Sequence, residues 1–435
     1  LRIVVNGKLG QLCLIAFLAF MPLEKFLVSG LGPGDAFMVI FMVTSWPVIW
    51  RQRMHVRFPL LFPSYVILVG SLIGALSGLD FMAVGKALLQ EVYLFLMLLT
   101  VANAITERSG LQGVVKAWAI VAAAESTIIM LDRVGIHLSA IGGFSAKAAA
   151  LGTVGSGAEA RAVGTFVNAN AAGGYIMLVF FIFLALPPFR NMLVRLGFLG
   201  LYALAIVATG SMGAMGGTLV GVIVAGLYWL HQRGRNNLFA LGVGTLLTVI
   251  VILSLPLLSS FLSSQDQGTL LFELSRAGHK LDKRLALWDT SVGLMAEYPL
   301  GIGPNVTGSV AVIGAHSDYV AFISERGPLG FIGLMLVYGE VLFWMALTAR
   351  STSAWPVRLA IGALLGGVLG LSIMGTVHET THGRPVWLIF ALIFVYYKLV
   401  RAEARSRPEA PAVGDRPRFI EPFARPSSLS ENPVI

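Results

Sequence analysis

Long apolar runs recur along the chain near residues 9–31, 35–50, 58–79, 83–105, 111–131, 164–186, 196–210, 213–230, 238–257, 327–348, 358–377 and 385–400. A bilayer's hydrocarbon core takes about 20 helical residues per crossing, and inside it every backbone group must be satisfied by the chain itself. Runs of this length without period-two alternation predict helices, so the chain reads as an all-α, polytopic membrane protein of about 12 transmembrane helices. Composition agrees. Only 12% of the residues are charged and 56% are hydrophobic, against about 25% charged in an average soluble protein. With a mean hydropathy of +0.81, an ordinary soluble enzyme is excluded.

The formal net charge of +9 is read first as topology rather than as a nucleic-acid footprint. With Arg2 and Lys8 inside, the inside segments carry Arg51, Arg53 and Arg57, then Arg108 and Lys116, then Arg190 and Arg195. They continue with Arg233 and Arg235, Arg350 and Arg358, and finally Lys398, Arg401, Arg405 and Arg407. The short outside turns at 32–35 and 77–80 carry no basic residue. Both ends are therefore expected in the cytoplasm. The first apolar run lacks a small-residue cleavage site and reads as a span rather than a cleavable signal. Cys13 is the only cysteine, so neither an internal disulfide nor a cysteine-based zinc site is available. The Gly-rich stretch Thr209–Gly217 is either a tight turn or a break within a longer hairpin.

Two outside segments are long. Residues 132–161 are rich in Gly, Ala and Ser, and residues 258–326 form a loop between the ninth and tenth spans. A loop of that length is usually functional. The bundle is expected over 1–402, with a Pro-rich, charged, disordered cytoplasmic tail over 403–435. No internal repeat of the inverted-transporter kind is found.

Within the long loop, Leu281, Leu285, Trp288, Val292 and Met295 fall at helical spacing, so Lys280–Glu297 reads as an amphipathic helix lying on the bundle or the membrane surface. Arg276, Lys280, Lys283 and Arg284 cluster at its start. Their bland reading is a solvated face or contacts to lipid headgroups. An outside basic cluster runs against the topological trend, and guanidinium groups bind phosphate oxygens bidentately, so the functional reading is a phosphorylated-lipid site. Further on, Ser317 or Asp318 can cap a short helix that Gly327-Pro328 closes, which places His316 just ahead of its N-terminus. The positive helix end disfavours imidazolium, leaving His316 able to accept a proton.

These residues carry a resemblance. Arg161-Ala-Val-Gly164-Thr-Phe166-Val-Asn168-Ala-Asn170 resembles the R-x-x-G-T-F-x-N-x-N motif of bacterial O-antigen ligases and Wzy-type polymerases. Thr209-Gly-Ser211, Arg284-x-x-x-Trp288, Pro299-Leu-Gly301-Ile-Gly303, His316-Ser317 and Glu325-x-Gly327-x-x-Gly330 are similar, in order and spacing, to their shared domain over residues 160–345. The resemblance implies a GT-C-like fold with a large periplasmic catalytic loop (258–326). It also implies a metal-independent, inverting glycosyltransferase without a cofactor, which moves a glycan from undecaprenyl diphosphate to an acceptor hydroxyl. The acceptor is lipid A core in a ligase, or a growing O-antigen or exopolysaccharide in a polymerase. By the same resemblance His316 is the general base, Arg284, Arg276 and Arg161 hold the donor diphosphate, and Ser317, Glu325, Asn168 and Asn170 support the site. Two positions depart from the family pattern. Met212 stands where the family usually has Arg, leaving Arg161 or Arg276 to supply that charge, and Ala169 stands where Pro is common.

Two rival readings follow from other residues. His378-Glu379-Thr380-Thr381-His382 fits H-E-x-x-H, the helical zinc motif of metalloproteases. Gly383-Arg384-Pro385 follows at once and ends any helix there, which favours an outer turn lining the same cavity and no metal. Glu125 in the fifth span, and Lys86 with Glu91 in the fourth, are costly in hydrocarbon. They are expected to pair within the bundle; a proton relay through them would instead describe a transporter.

Overall fold

Hydrocarbon leaves a backbone amide no water to bond, and the apolar runs accordingly close their own hydrogen bonds as helices. The computed structural model describes residues 7–23, 32–51, 56–77, 80–134, 136, 162–232, 285–307 and 316–406. They form α1 (Gly7–Phe20), α2 (Pro33–Arg51), α3 (Leu61–Ala75), α4 (Phe81–Ala104), α5 (Arg108–Arg133), α6 (Ala169–Ala185), α7 (Met192–Ala208) and α8 (Met212–Gln232). After these come α9 (285–297), α10 (Asp318–Ser351), α11 (Trp355–Val377) and α12 (Arg384–Ser406). Among the described residues there is no strand. Seven of the helices are long and apolar enough to cross a membrane, and α1, α3, α6 and α7 are apolar but shorter. The chain is a multi-pass helical membrane protein. The expected run at 238–257, most of 132–161, and 258–284 lie outside the described residues. Helix α12 runs through Ser406, so the tail boundary expected at 403 falls inside a helix; residues 407–435 are not described.

Local chemistry sets the helix starts. Asp80, Asn168, Asn191 and Ser317 each accept a first-turn N–H at the head of α4, α6, α7 and α10. Thr209–Ser211 is a tight turn rather than a break, because Gly210 takes φ +60° and the Thr209 hydroxyl accepts the Ser211 N–H at 3.2 Å.

Packing depends on close backbone approach, the usual source of helix association where lipid is as apolar as leucine. Helix α8 crosses α11 most extensively. A Cβ added at Gly217 would sit 2.5 Å from the Gly370 carbonyl oxygen, and one at Gly221 2.5 Å from that of Gly366. Helix α10 lies as closely on α3, where a Cβ at Gly74 would meet the Glu325 carbonyl oxygen at 2.5 Å.

Polar contacts tie one end of the bundle together. Asp35 of α2 accepts from Tyr93 and Arg384, and Thr165 donates to Pro22 O and Glu125. Ser317 of α10 donates to Gly375 O of α11. This is the end that carries His316. Arg57, Arg108, Arg350, Arg358 and Lys398, all expected inside, gather at the other end, where Lys398 donates to Ala102 O and Ile105 O. Glu125 accepts the Thr165 N–H and hydroxyl, each at 2.7 Å, and so pairs within the bundle as expected. Glu91 pairs too, with Arg326 rather than with Lys86, whose side chain is exposed.

Candidate active site

Helix α10 begins where the Ser317 hydroxyl, at an extended backbone position, accepts the Val320 N–H and itself donates to Gly375 O. His316 therefore stands one residue ahead of the cap. Its φ is +50°, a left-handed conformation that costs a non-glycine residue energy and persists only when its surroundings hold it. Part of that hold is the Glu379 carboxylate, whose Oε1 accepts the His316 backbone N–H at 3.0 Å. The His316 ring stacks on His378, with centroids 6.4 Å apart and planes 19° from parallel.

The segment 378–382 is an outer turn, as the sequence reading favoured. His378 is extended (φ −155°, ψ 147°) at the end of α11, so the one-turn spacing that aligns two zinc ligands on a helix does not arise. Asp318 shapes the turn by accepting four hydrogen bonds, from the backbone N–H and hydroxyl groups of Thr380 and Thr381, at 2.5–3.0 Å. His378 faces His316, while His382 stacks on Phe322 at 6.2 Å. Among the described residues no group of three His, Cys, Asp or Glu side chains converges as a metal site would.

Burial and neighbouring charge shift two groups in this turn. Glu379 is pushed up to about 7, first by desolvation and then by the Glu325 and Asp318 carboxylates; the His316 N–H and Arg326 oppose the shift. His382 is pushed down to about 3 by burial and by the Arg326 charge. It borders an apolar cavity of about 150 Å³ walled by residues such as Leu61, Tyr65, Phe95, Phe322 and Trp387, with Glu91 at its edge.

A second cluster lies farther along α10. Pro328 has no N–H and Gly327 is non-helical (φ 64°, ψ −169°), so the carbonyls of Ser324 and Glu325 lose their helical partners. The Ile302 and Gly303 N–H groups take those places at 3.1 and 2.8 Å. The sequence-predicted break at Gly327-Pro328 is thus the dock for the Pro299–Gly303 turn. Glu325 fixes the rest of that loop by accepting the Asn305 and Thr307 N–H groups. Its neighbour Arg326, fully buried, ion-pairs with Glu325 at 3.0 Å and Glu91 at 2.7 Å. Removing one partner from such a buried network typically costs about 3–5 kcal/mol.

The third cluster gathers the remaining motif. The Asp132 carboxylate accepts the Val163 and Gly164 N–H groups, and Glu125 accepts that of Thr165, so two acids of α5 seat the segment after Arg161. Asn168 caps α6, and Asn170 accepts from the Ser211 hydroxyl at 3.1 Å, which joins the G-T-F-x-N-x-N and T-G-S motifs. Through Gly213, the start of α8 lies against Met374 and Val377 of α11, the helix end that His316 and Ser317 approach from α10.

Of the sequence-predicted residues, His316, Ser317, Glu325, Asn168 and Asn170 therefore sit at one end of the bundle. Arg161, Arg276 and Arg284 lie outside the described residues. Sequence reasoning missed Glu379 as the neighbour of His316, along with the Arg326–Glu91 pair. The H-E-x-x-H spelling pointed at a metal, and the partners are 63 and 235 positions apart.

Residues 196–335, from α7 into α10, match the family model Wzy_C, described as O-antigen ligase. That stretch is similar to an O-antigen ligase domain. No curated protein matches it. The matched stretch holds Thr209–Ser211, Met212, His316, Ser317, Glu325 and the Gly327-Pro328 break; the Asn168–Asn170 motif and the 378–382 turn, which complete the cluster in space, lie outside it. The O-antigen ligase domain carries a ligase- or polymerase-type, glycosyltransferase-like function in O-antigen biosynthesis.

Proposed function

We propose that this protein transfers a glycan from an undecaprenyl diphosphate donor to a hydroxyl of the lipid A core, on the periplasmic face of a bacterial inner membrane. The observation that carries this reading is His316. It lies inside the ligase-like stretch, directly ahead of the α10 N-terminus, in a strained backbone conformation held by Glu379. Strain of this kind persists where the surrounding structure over-determines a residue, and it clusters at functional positions.

In the proposed reaction His316 takes the proton of the acceptor hydroxyl as that oxygen bonds to the anomeric carbon. The bond from that carbon to the diphosphate breaks on the opposite side, its electron pair leaves with the diphosphate, and the configuration inverts. Arg284, Arg276 and Arg161 neutralise the charge that develops on the leaving group, a task for which fixed guanidinium groups suffice without a metal ion. Ser317 sets the start of α10, Glu325 sets the 299–307 loop, and Glu379 acts as a positioning residue through the His316 amide. The apolar cavity beside His382 suits the hydrocarbon end of a lipid-linked substrate. A polymerase would use the same donor with a growing glycan as acceptor.

The test is reconstitution. Purified protein receives one polyprenyl-diphosphate-linked glycan and either lipid A core or a second lipid-linked glycan, with and without a chelator. Transfer to lipid A core that survives the chelator is the expected result. Transfer only to the second glycan makes the protein a polymerase, and loss of transfer on chelation with recovery on adding metal overturns the metal-independent mechanism.

A further inference from the structure

At the end of the bundle opposite His316, the turn between α10 and α11 meets the start of α5 and the last turns of α12 around a cavity of about 650 Å³. Three guanidinium groups, from Arg108, Arg350 and Arg358, line it against one carboxylate, Glu403. Only Arg108 uses that carboxylate, in a 3.5 Å ion pair between half-exposed side chains. Among the described residues Arg350 and Arg358 form no ion pair, and Arg358 is half-buried. The helix that starts at Trp355 has no acidic residue in its first turn and no side-chain cap, and the same holds for the helix that starts at Arg108. The positive start of α11 therefore adds to the arginines, whereas the start of α5 carries the carboxylate of Glu107 at its N-cap. Ser351, Thr352 and Ser353 contribute hydroxyls to the rim, while the buried Val357 and Val400 make part of the wall apolar.

The preference for basic residues on the inner side of a membrane accounts for the sign of these charges. It does not account for their convergence on a cavity with hydroxyls at the rim and aliphatic side chains below. We propose that this cavity binds the phosphate of an anionic phospholipid headgroup, held by Arg350 and Arg358, with the lipid's glycerol end against Val357 and Val400. Guanidinium forks match phosphate oxygens, and basic pockets between membrane helices are established places for anionic headgroups. A zwitterionic headgroup brings its own cation into a site that already holds an excess of positive charge, so selectivity for anionic lipid follows. This inference concerns binding alone and does not depend on the glycosyltransferase reading.

The full chain in detergent is exposed to mixed micelles containing phosphatidylglycerol, phosphatidylcholine or neither, and separately to inorganic phosphate, with thermal stability and retained lipid as readouts. Phosphatidylglycerol is expected to raise the melting midpoint and to be retained through purification, with phosphatidylcholine doing neither. Arg350→Gln and Arg358→Gln should each weaken retention by roughly fivefold, and Arg358→Lys less. Arg190→Gln, an exposed basic residue at the same end but outside the cavity, should leave retention unchanged. Three results overturn the proposal: equal retention by the double Arg350→Gln, Arg358→Gln variant in a protein that still melts cooperatively, an equal loss in Arg190→Gln, or full stabilisation by inorganic phosphate with no further effect of lipid.

Discussion

Asp318 accepts four hydrogen bonds from two threonines, and for that reason residues 378–382 form a turn beside His316. Ser317 as cap and His316 ahead of it were legible, because a Ser-Asp pair before an apolar helix closed by Gly-Pro is a local signal. Glu379 was not, since the contact that gives it a role comes from a different helix end and leaves no spacing in the sequence. The same turn predicts a two-sided pH dependence of stability. Glu379 goes from 4.5 in the unfolded chain to about 7 in the folded one, so its contribution is full below 4.5 and is lost as pH rises through about 7. His382 goes from 6.5 to about 3, so its contribution is full above 6.5 and is lost as pH falls through about 3. Melting midpoints measured in detergent from pH 3 to 8 should therefore show Glu379→Gln flattening the decline between 4.5 and 7, and His382→Asn flattening the acid-side decline. Unchanged slopes in both variants would mean that neither group is buried as described.

At the scale of elements, positions were legible and faces were less so. The described helices fall on the apolar runs because hydrocarbon permits little else. For α9 the sequence puts Leu285, Trp288, Val292 and Met295 on one apolar stripe facing the bundle or the membrane surface; Leu285 and Val292 are 49% and 53% exposed, and Trp288 and Met295 half-buried. Against the bundle the helix buries Ser291 and turns Leu294, followed by Tyr298, towards Val84, Ile302 and Val306. Ser291 satisfies its own hydroxyl on Leu287 O, so a small residue can face inward and let the backbone approach, which a stripe of large side chains cannot do. Close approach also decides α8 against α11. Gly217→Leu should destabilise the protein by about 1–3 kcal/mol, because the added side chain meets the α11 backbone. Gly226→Ala on the same helix, where an added Cβ meets nothing within 4 Å, should be neutral or slightly stabilising. Urea or thermal unfolding of the two variants checks this, and equal effects would argue against the crossing.

For the whole molecule, charge asymmetry and hydropathy gave the class and the two ends, while the network joining α3, α4 and α10 through Glu91, Arg326 and Glu325 became visible only in three dimensions. The proposed orientation is directly measurable. A reporter fused after residue 270 should be periplasmic and one fused after residue 405 cytoplasmic, and finding both on one side would remove the sidedness of the proposed reaction. Whether His316 is the base that this architecture presents is the question on which the functional account turns. In His316→Ala, transfer from the lipid-linked donor should be abolished while donor binding stays nearly intact, because a general base acts on the acceptor. Arg284→Ala should weaken donor binding as well, by roughly one to two powers of ten, since a charge-assisted contact to diphosphate exists before and during the reaction. Donor binding and transfer measured side by side on these two purified, folded variants is the decisive experiment. Near-normal transfer by His316→Ala would contradict the mechanism at its centre.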